Sequence, residues 1–308
     1  MGVLLGYLAD LVLGDPRAGH PVAGFGAAAG ALERVTYRDS RAAGIVYVAV
    51  LVGAVRLVGV ALERQARRCG VFGSVLVTAM ATWVALGGTS LARIGSAMGD
   101  LLGDDDLDGA RRLLPSLCGR DPATLDAAGL TRATVESLAE NTSDAQVAPL
   151  LWATAGGVPG VLGYRAVNTL DAMVGHRSPR YALFGWAAAR LDDAANYVAA
   201  RLTAALAAVC APIVGGSPLR AVQAWRRDAR RHPSPNAGVV EAAFAGALGV
   251  QLGGPTLYHY ELQIRPALGA GLPPTVADVQ RAVRLSRAVQ AAAMAVCFGV
   301  SAAVRSGR

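Results

Sequence analysis

Carboxylate side chains recur at helical spacing in the segment ESLAENTSD, Glu136–Asp144. Glu136, Glu140 and Asp144 are four residues apart, so a helix would place them within about 80° of one another, with Asn141 beside them. Three carboxylates on one stripe repel each other, and they therefore face water or hold a cation. Because the segment adjoins a charge-free apolar run and Mg²⁺ favours oxygen ligands, it is a candidate magnesium and catalytic site.

The segment VNTLDAMVGHRSPR, Val167–Arg180, carries related chemistry. Asn168 and Asp171 are three residues apart and would share a helix face. Arg177 and Arg180 follow in a turn, where two guanidinium groups could clamp a phosphate. The alternative is a capped helix end with exposed arginines, because Asn and Asp often bond locally to the backbone.

A third polar segment, GWAAARLDDAANY, supplies Arg190, Asp192, Asp193 and Asn196. Asp193 could simply pair with Arg190 on a surface, which would contribute little to stability. An acidic pair that enters an apolar segment is more typical of a metal or substrate site near a membrane.

The loop RRDARRHPSPNAG, Arg226–Gly238, combines four arginines with His232, Ser234 and Asn236. Its prolines are rigid and its glycine is permissive, as a loop that cradles a ligand requires. The alternative is a basic cluster beside the membrane that touches anionic lipid.

Near the N-terminus, the motif GDPRAGHPV offers Asp15 and His20 as ligand-binding candidates. This pattern is weak alone, since His20 could be an ordinary loop residue.

The basic residues restrict the possible chemistry. All 29 are arginine, and the net charge is +7. A Walker A phosphate loop and a Schiff-base mechanism both need lysine and are therefore excluded. Guanidinium groups must hold any anionic partner, and they match phosphate and carboxylate well. The sequence has no basic patch interleaved with aromatic residues, which is the pattern that would indicate binding of nucleic acid.

Long apolar segments must position these residues. Val71–Ala92, Ala145–Tyr164 and Ala288–Val304 contain no ionisable residue, and each is close to the ~20 residues that a helix needs to cross a bilayer. Ala42–Leu62 and Val71–Ala92 are predicted to form a helical hairpin joined by ERQARRCG. The chain is 53% hydrophobic and rich in small residues, which suits close helix packing in lipid. We expect one all-α, polytopic membrane bundle over residues 1–308, with polar, partly helical loops forming the active site at one membrane face.

The other elements are predicted from the same patterns. The first apolar run is expected to be a short, retained membrane helix that ends at Gly14-Asp15-Pro16. Arg93–Thr142 is predicted to form helices outside the membrane, and Ala145–Tyr164 to be broken or re-entrant at its glycines and prolines. Leu202–Leu219 is a further predicted span, and Ala242–Tyr260 a less regular one. The arginine distribution favours motif loops in the cytoplasm.

Taken in order, these strings resemble the CobD/CbiB family of cobalamin biosynthesis, the adenosylcobinamide-phosphate synthases. The resemblance lies in GDPRAGHPV, ESLAENTSDAQVAPLLW, YRAVNTLDAMVGHRSPRYALFGWAAARLDDAANYVAARLT and RRDARRHPSPNAGVVEAAFAGALGVQLGG. Each string is modest alone, and the four in order are highly specific. Together they cover nearly the whole chain.

The resemblance implies an integral membrane enzyme that joins adenosylcobyric acid to (R)-1-amino-2-propanol O-phosphate, or a related amino alcohol, and consumes ATP. The corrinoid is then a substrate, and ATP and Mg²⁺ are the cofactors. The expected location is the inner (plasma) membrane, with the active site facing the cytoplasm. Besides the substrates and the bilayer, other membrane enzymes of late cobalamin assembly are expected partners, and nucleic acid is not.

This chemistry assigns a candidate role to each motif residue. The catalytic candidates are Glu136, Glu140, Asp193 and His232, with His232 or one of the carboxylates as the base that deprotonates the amine. The candidate metal ligands are Glu140, Asp144, Asp171, Asp192 and Asp193. The candidate cofactor-binding residues are Asp15, His20, Asn141, Asn168, Arg177, Arg180, Arg190, Asn196, Ser234 and Asn236.

Two other functions use similar residues. A membrane prenyl or phospho-alcohol transferase also holds Mg²⁺-diphosphate on acidic helix motifs. A transporter of an anionic solute would suit a broken span such as Ala145–Tyr164. Dependence on ATP distinguishes the three functions.

Overall fold

The structure is a computed structural model that describes residues 1–16, 19–176, 178–257 and 262–306. Contacts divide the chain into two compact units. Unit 1 consists of Met1–Gly87, Ala148–Asn196 and Met294–Arg308, and unit 2 of Gly88–Val147 and Tyr197–Ala293. The prediction of a single domain is not tested by this division.

Five helical stretches are long and apolar enough to cross a membrane. They are Arg41–Arg68, Gly70–Gly103, Ala127–Val174, Trp186–Val214 and Val276–Ala303. The predicted fold class, an all-α polytopic membrane bundle, is confirmed. Two of these stretches include part of the segment Arg93–Thr142, and the placement of that segment outside the membrane stays a prediction.

Unit 1 begins with α1 (Gly2–Leu13), α2 (Pro21–Thr36), α3 (Arg41–Arg68) and α4 (Gly70–Ala85). α1 packs closely on α4, because a Cβ atom at Gly2 or Gly6 would lie 2.6 Å from the side chain of Thr78 or Thr82. The indole Nε1 of Trp83 donates to the carbonyl of Gly14 at 2.9 Å, which fixes the end of α1.

The predicted hairpin of the second and third apolar segments is present, but its connection is much shorter than expected. The segment ERQARRCG was predicted to be the connection, whereas α3 continues as a helix through Arg68. The turn consists of Cys69, which is exposed, and Gly70, whose φ of 76° favours glycine. The second arm, α4, ends at Ala85 rather than at Ala92.

The first part of unit 2 contains α5 (Gly88–Gly103), α6 (Leu107–Leu113) and α7 (Ala127–Thr142). The Asp126 carboxylate accepts from the backbone N–H of Gly129 at 2.7 Å and caps α7. A π-helical turn, Ser143–Val147, follows α7 directly. Of the helices predicted for Arg93–Thr142, the last is α7, and a 3₁₀ turn, Pro122–Thr124, precedes it.

α8 (Ala148–Val174) is interrupted at Gly157, where φ is 59° and ψ is −151°. The predicted break in Ala145–Tyr164 is thus confirmed, and Pro159 follows it within the helix. α9 (Trp186–Cys210) then runs into a 3₁₀ turn, Ala211–Val214. The predicted span Leu202–Leu219 was wrong in its bounds, because this helix starts earlier and ends before Gly215.

The last elements are α10 (Pro218–Asp228), α11 (Ala237–Leu248), β1 (Leu252–Leu257), β2 (Leu262–Leu268) and α12 (Val276–Ser306). All twelve residues of α11 are buried. β1 and β2 form an antiparallel hairpin. The predicted span Ala242–Tyr260 was therefore wrong: α11 stops at Gly249, whose φ is 75°, and a strand follows.

Candidate functional site

In unit 1, a hydrogen-bond network joins the second half of α8 to the start of α9. The carboxylate of Asp192 accepts from the side-chain amide of Asn196 at 3.0 Å and from that of Asn168 at 3.4 Å. Tyr164 donates its hydroxyl to Asn196 Oδ1 at 2.8 Å, and Arg165 donates to Asn168 Oδ1 at 3.2 Å. The structure thus brings Asn168 of α8 to Asp192 and Asn196 of α9, three predicted site residues from two successive helices.

Two more of the predicted carboxylates, Asp171 and Asp193, lie on the same two helices. Asp193 faces Arg190 across a half-exposed ion pair of 3.4 Å, which is the geometry of the simple surface pair. Asp171 lies against the backbone of Gly175, where any side chain would collide with its carboxylate. Their role as metal ligands remains a prediction.

Arg180 is held by aromatic and acidic neighbours. Its guanidinium lies 4.1 Å from the ring centre of Tyr37 and donates to Glu33 at 3.0 Å. The hydroxyl of Tyr181 donates to the same Glu33 oxygen at 2.8 Å. The Arg180 side chain is nevertheless 52% exposed, so it can still meet an anion. Arg177 lies outside the described residues.

His20 has a clear structural role. Its Nδ1 accepts from the backbone N–H of Val22 at 3.1 Å and caps α2, and Pro21 occupies the first helical position. Asp15 is half-buried in the turn after α1. The ligand-binding role predicted for His20 and Asp15 stays a prediction.

In unit 2, both carboxylate oxygens of Glu136 have a partner. It forms a buried ion pair with Arg120, and its other oxygen accepts from the backbone N–H of Gly253 at 2.7 Å. These contacts attach strand β1 to α7. Removal of the Arg120 or the Glu136 side chain would leave the other as an uncompensated buried charge. The geometry thus gives Glu136 an anchoring role in addition to the catalytic role predicted for it.

Glu140, Asn141 and Asp144 are all half-buried at the end of α7 and in the π-helical turn. Asn141 donates to the carbonyl of Ser137 at 2.9 Å. The π turn changes the register of Asp144 relative to Glu140, so the predicted straight stripe of carboxylates is interrupted there. Such turns often occur at functional sites.

The HPSPNAG loop is fixed by α9 and α11. Arg201 donates to Asn236 Oδ1 at 2.6 Å and to the carbonyl of Pro235 at 3.0 Å, and it stacks 3.6 Å from the ring centre of Tyr197. The Ser234 hydroxyl accepts from the backbone N–H of Ala237 at 3.1 Å. The ligand-cradling role predicted for this loop stays a prediction.

The same loop places His232 beside a buried acid. His232 Nε2 lies 3.9 Å from Glu241 Oε1, and Arg265 Nη1 lies 3.5 Å from that oxygen. No described residue forms a hydrogen bond with His232 Nε2 or with either oxygen of Glu241. The Glu241 side chain is fully buried, so this group lacks the donors that a buried carboxylate normally has.

Burial sets the protonation of this pair. Burial, and then the Arg265 guanidinium, lowers the pKa of His232 to about 4, so the ring is neutral at physiological pH. Burial, and then the charge of Glu136, raises the pKa of Glu241 well above its ordinary value. His232 Nδ1 accepts from the backbone N–H of Ser234 at 3.1 Å. The neutral ring therefore carries its proton on Nε2, facing Glu241.

The prediction from sequence did not include Glu241. A signal was available, because it is the only ionisable residue in the apolar helix AGVVEAAFAGAL. An isolated charged residue in such a setting marks a functional site by default. Arg120, Arg201 and Arg265 were missed for a different reason: arginine is common in this chain, and spacing did not distinguish these three from the others.

The described residues contain no group of three or more His, Cys, Asp or Glu side chains placed to hold a metal ion. Mg²⁺, however, usually binds through one or two carboxylates and takes its remaining ligands from water and substrate phosphates. Asp192 and the neighbouring Asp193 are half-buried oxygen donors and fit that coordination. The residues are thus compatible with Mg²⁺ held jointly with a nucleotide.

The family model for CobD/Cbib protein matches residues 3–286. A cobalamin biosynthesis protein CobD of Mycobacterium tuberculosis is 69% identical over 95% of this chain and 93% of its own length. The protein of that name from Geobacter metallireducens is 42% identical over 91% of this chain and 89% of its own. The protein of that name from Rhodobacter capsulatus is 40% identical over 96% of this chain and 95% of its own length.

No solved structure gives a significant match to this chain. The family match includes all the clusters described above, and the likeness to the relatives extends over nearly their full length. The sequence motifs, the helical fold and these comparisons agree, and the chain belongs to the CobD/CbiB family.

Proposed function

We propose that this protein is an ATP-dependent amide ligase of cobalamin biosynthesis, which joins adenosylcobyric acid to (R)-1-amino-2-propanol O-phosphate and gives adenosylcobinamide phosphate. The observation that carries the proposal is the family match over residues 3–286. Relatives named cobalamin biosynthesis protein CobD support the pathway. The ligase reaction and its substrates follow from the motif resemblance.

The reaction needs activation of a carboxylate. The γ-phosphoryl group of ATP passes to a carboxylate oxygen of the corrinoid, giving an acyl phosphate and ADP. The amine nitrogen then attacks the acyl carbon, phosphate leaves with its bonding electron pair, and a protein base takes the proton from nitrogen. Phosphoryl transfer of this kind depends mainly on positioning and charge neutralisation.

Residues of unit 1 suit the phosphate part of this reaction. The half-buried Asp192 and Asp193 would hold Mg²⁺, which would neutralise charge on the nucleotide phosphates when bound. Asn168 and Asn196 orient Asp192 through their side-chain amides. Arg180 and Arg190 present exposed guanidinium groups, whose paired N–H donors match a phosphate.

Residues of unit 2 suit the proton transfer. In the neutral His232 ring, Nδ1 accepts from Ser234 and Nε2–H faces Glu241, which leaves no free lone pair for an amine. Glu241 has two oxygens to which no described residue donates a hydrogen bond. We therefore assign the base to Glu241 and a positioning role to His232. A carboxylate with a raised pKa is a stronger base than an ordinary one.

The five apolar stretches support placement in a membrane. The proposed site is the plasma membrane, with the polar loops in the cytoplasm, where ATP is available. The orientation rests on the arginine distribution of the sequence.

The test is a reconstituted reaction. The purified chain in detergent receives adenosylcobyric acid, ATP, Mg²⁺ and aminopropanol phosphate, and mass spectrometry follows the corrinoid. We expect a mass increase equal to one amide-linked amino alcohol phosphate, with one ADP formed for each amide. Omission of ATP or of the amine should abolish the product.

Other outcomes would identify the alternative functions. Release of pyrophosphate with transfer of a prenyl or phospho-alcohol group would replace the ligase by a transferase. Movement of an anionic solute across vesicles without ATP turnover would replace it by a transporter.

A further inference from the structure

Helix α10 follows a candidate membrane span almost immediately. The apolar stretch Trp186–Val214 ends only three residues before α10 begins at Pro218. Three extended residues reach roughly 10 Å, so α10 must start near the end of that span. Apolar side chains on both sides of the junction are strongly exposed: Val209 is 70%, Ile213 62% and Leu219 65% exposed.

α10 presents different chemistry on different faces. Ala221, Ala224 and Asp228 are buried and pack toward α11. A second face, with Pro218, Val222 and Trp225, lines a groove. This pattern is typical of an amphipathic helix that lies in a membrane interface.

The groove lies between α9 and α10. Ala205, Ala208 and Val209 of α9 form its other wall, and among the described residues Arg226 is the ionisable one that lines it. Its volume is about 600 Å³, which is within the usual range for ligand pockets. An apolar cleft with one cation at its edge suits a molecule with a long apolar chain and an anionic head.

The surrounding charge favours the same kind of molecule. The segment Pro218–Arg231 contains five arginines and a single acidic residue, Asp228. Asp228 is buried and pairs with Arg227 at 2.7 Å and Arg231 at 3.6 Å. Within the described part of the chain, Arg226 and Arg230 are exposed and have no ion-pair partner. Arg226 lines the groove, and Arg230 follows it by four residues in the 3₁₀ turn after α10.

We propose that the α9–α10 groove binds an anionic phospholipid from the bilayer. An acyl chain occupies the groove between Ala205 and Val222, and the headgroup phosphate contacts Arg226 and Arg230. Trp225 lies at the level of the headgroups, where tryptophan is favoured in membrane proteins. This site is separate from the proposed ligase chemistry and does not depend on it.

The test measures lipid binding to the full chain in detergent, by native mass spectrometry and by thermal denaturation. Phosphatidylglycerol and phosphatidylcholine with identical acyl chains are the probes. We expect tighter binding and a larger rise in Tm with phosphatidylglycerol. Arg226→Gln should weaken phosphatidylglycerol binding about fivefold, equal to the ~1 kcal/mol that one arginine contributes near an anionic surface.

A second variant tests the groove itself. Ala205 is exposed in the groove wall, so Ala205→Trp should fill the groove without disturbing the core, and it should weaken the binding of both lipids. Arg68→Gln is the matched control, because it removes an exposed arginine at the end of another span. It should leave lipid binding unchanged.

Two results would overturn the proposal. Equal binding of both lipids to the wild-type chain would exclude selection of an anionic headgroup. Stabilisation by inorganic phosphate that equals that by phosphatidylglycerol, and persists in Ala205→Trp, would show a phosphate site without an acyl-chain groove.

Discussion

Buried carboxylates without hydrogen-bond donors are rare in folded proteins, because loss of water is then uncompensated. Glu241 is such a group: both oxygens lack a donor among the described residues, while Asp228 accepts from Arg227 and from the backbone of Gly269. The two acids are equally buried in the same unit. Only the first has an unused capacity to bind a donor such as an amine.

Glu241→Gln should therefore lower kcat for amide formation by about 100-fold or more, the contribution of a positioned general base. KM for ATP should change little. The wild-type rate should rise with pH through a value above the ordinary pKa of glutamate, since Glu241 must lose its proton to act and its pKa is raised. The variant should lose this pH dependence.

Asp228→Asn is the control for this prediction. It removes a buried charge that is fully partnered, so it should lower Tm and leave the kcat of the folded enzyme nearly unchanged. A normal kcat in the Glu241→Gln enzyme would show that another residue is the base.

His232 predicts a pH dependence of stability. Its pKa is about 4 in the folded protein and about 6.5 in an unfolded chain. Between these values the unfolded chain binds more protons than the folded protein, so the free energy of unfolding rises from pH 4 to pH 6.5. This stabilisation is lost as the pH falls through the same range. The effect is at most roughly 3 kcal/mol.

Denaturation of the purified chain at several pH values measures this effect. His232→Asn keeps an acceptor for the Ser234 backbone N–H and removes the titration. Its stability should therefore decline less than that of the wild type between pH 6.5 and pH 4. Parallel curves would show that other groups control the acid sensitivity.

Asp193 predicts a dependence on magnesium. Asp193→Asn keeps the shape of the side chain and removes a negative ligand, so we expect a higher Mg²⁺ concentration for half-maximal rate. Asp108→Asn is the matched control, because Asp108 forms an equivalent surface pair with Arg111 three residues away. Identical Mg²⁺ curves for wild type and Asp193→Asn would favour a simple surface pair.

At the scale of elements, the break in α8 predicts that position 157 does not tolerate a side chain. Gly157 has a φ of 59°, and a side chain there would also approach the Glu63 carboxylate at 3.3 Å. A φ of 59° with a ψ of −151° is essentially restricted to glycine, so Gly157→Ala should lower stability by about 1–3 kcal/mol. Gly156→Ala, next to it and outside the left-handed region, should have little effect. Equal Tm values for the two variants would contradict this account.

The helices were largely predictable, since uninterrupted apolar runs of membrane length have few other solutions. Their ends were less so. The tight turn at Cys69 was missed because Glu63–Arg68 is charged and resembles a loop, although its residues are good helix formers. The β1–β2 hairpin was missed because an uncharged, Gly-rich segment such as Ala242–Tyr260 resembles a span by composition alone.

The candidate site was predictable in its residue types more than in its contacts. Asn168, Asp192 and Asn196 were found by spacing and do meet. The partners of Glu136 could not be found in this way, because the backbone N–H of Gly253 is distant in sequence and carries no motif. The prediction that the polar loops form the active site at one membrane face stays a prediction.

At the scale of the whole molecule, the absence of lysine suits an enzyme that handles an activated acyl group. A lysine amine near an acyl phosphate would compete with the amine substrate, whereas a guanidinium stays protonated and is a poor nucleophile. In the proposed ligase, arginine would thus supply charge for phosphate binding without a side-chain amine that could capture the acyl phosphate.

The short α3–α4 turn has a further consequence, because it makes Cys69 a natural reporter of membrane orientation. Cys69 is the only cysteine classed as exposed within the described residues, while Cys210 and Cys297 are buried. If the segments that flank the α3–α4 hairpin face the cytoplasm, the turn at Cys69 faces the opposite side. A membrane-impermeant maleimide should then label Cys69 on intact cells, and Cys69→Ser should remove the label. Labelling only after lysis would reverse the assigned orientation without any engineered tag.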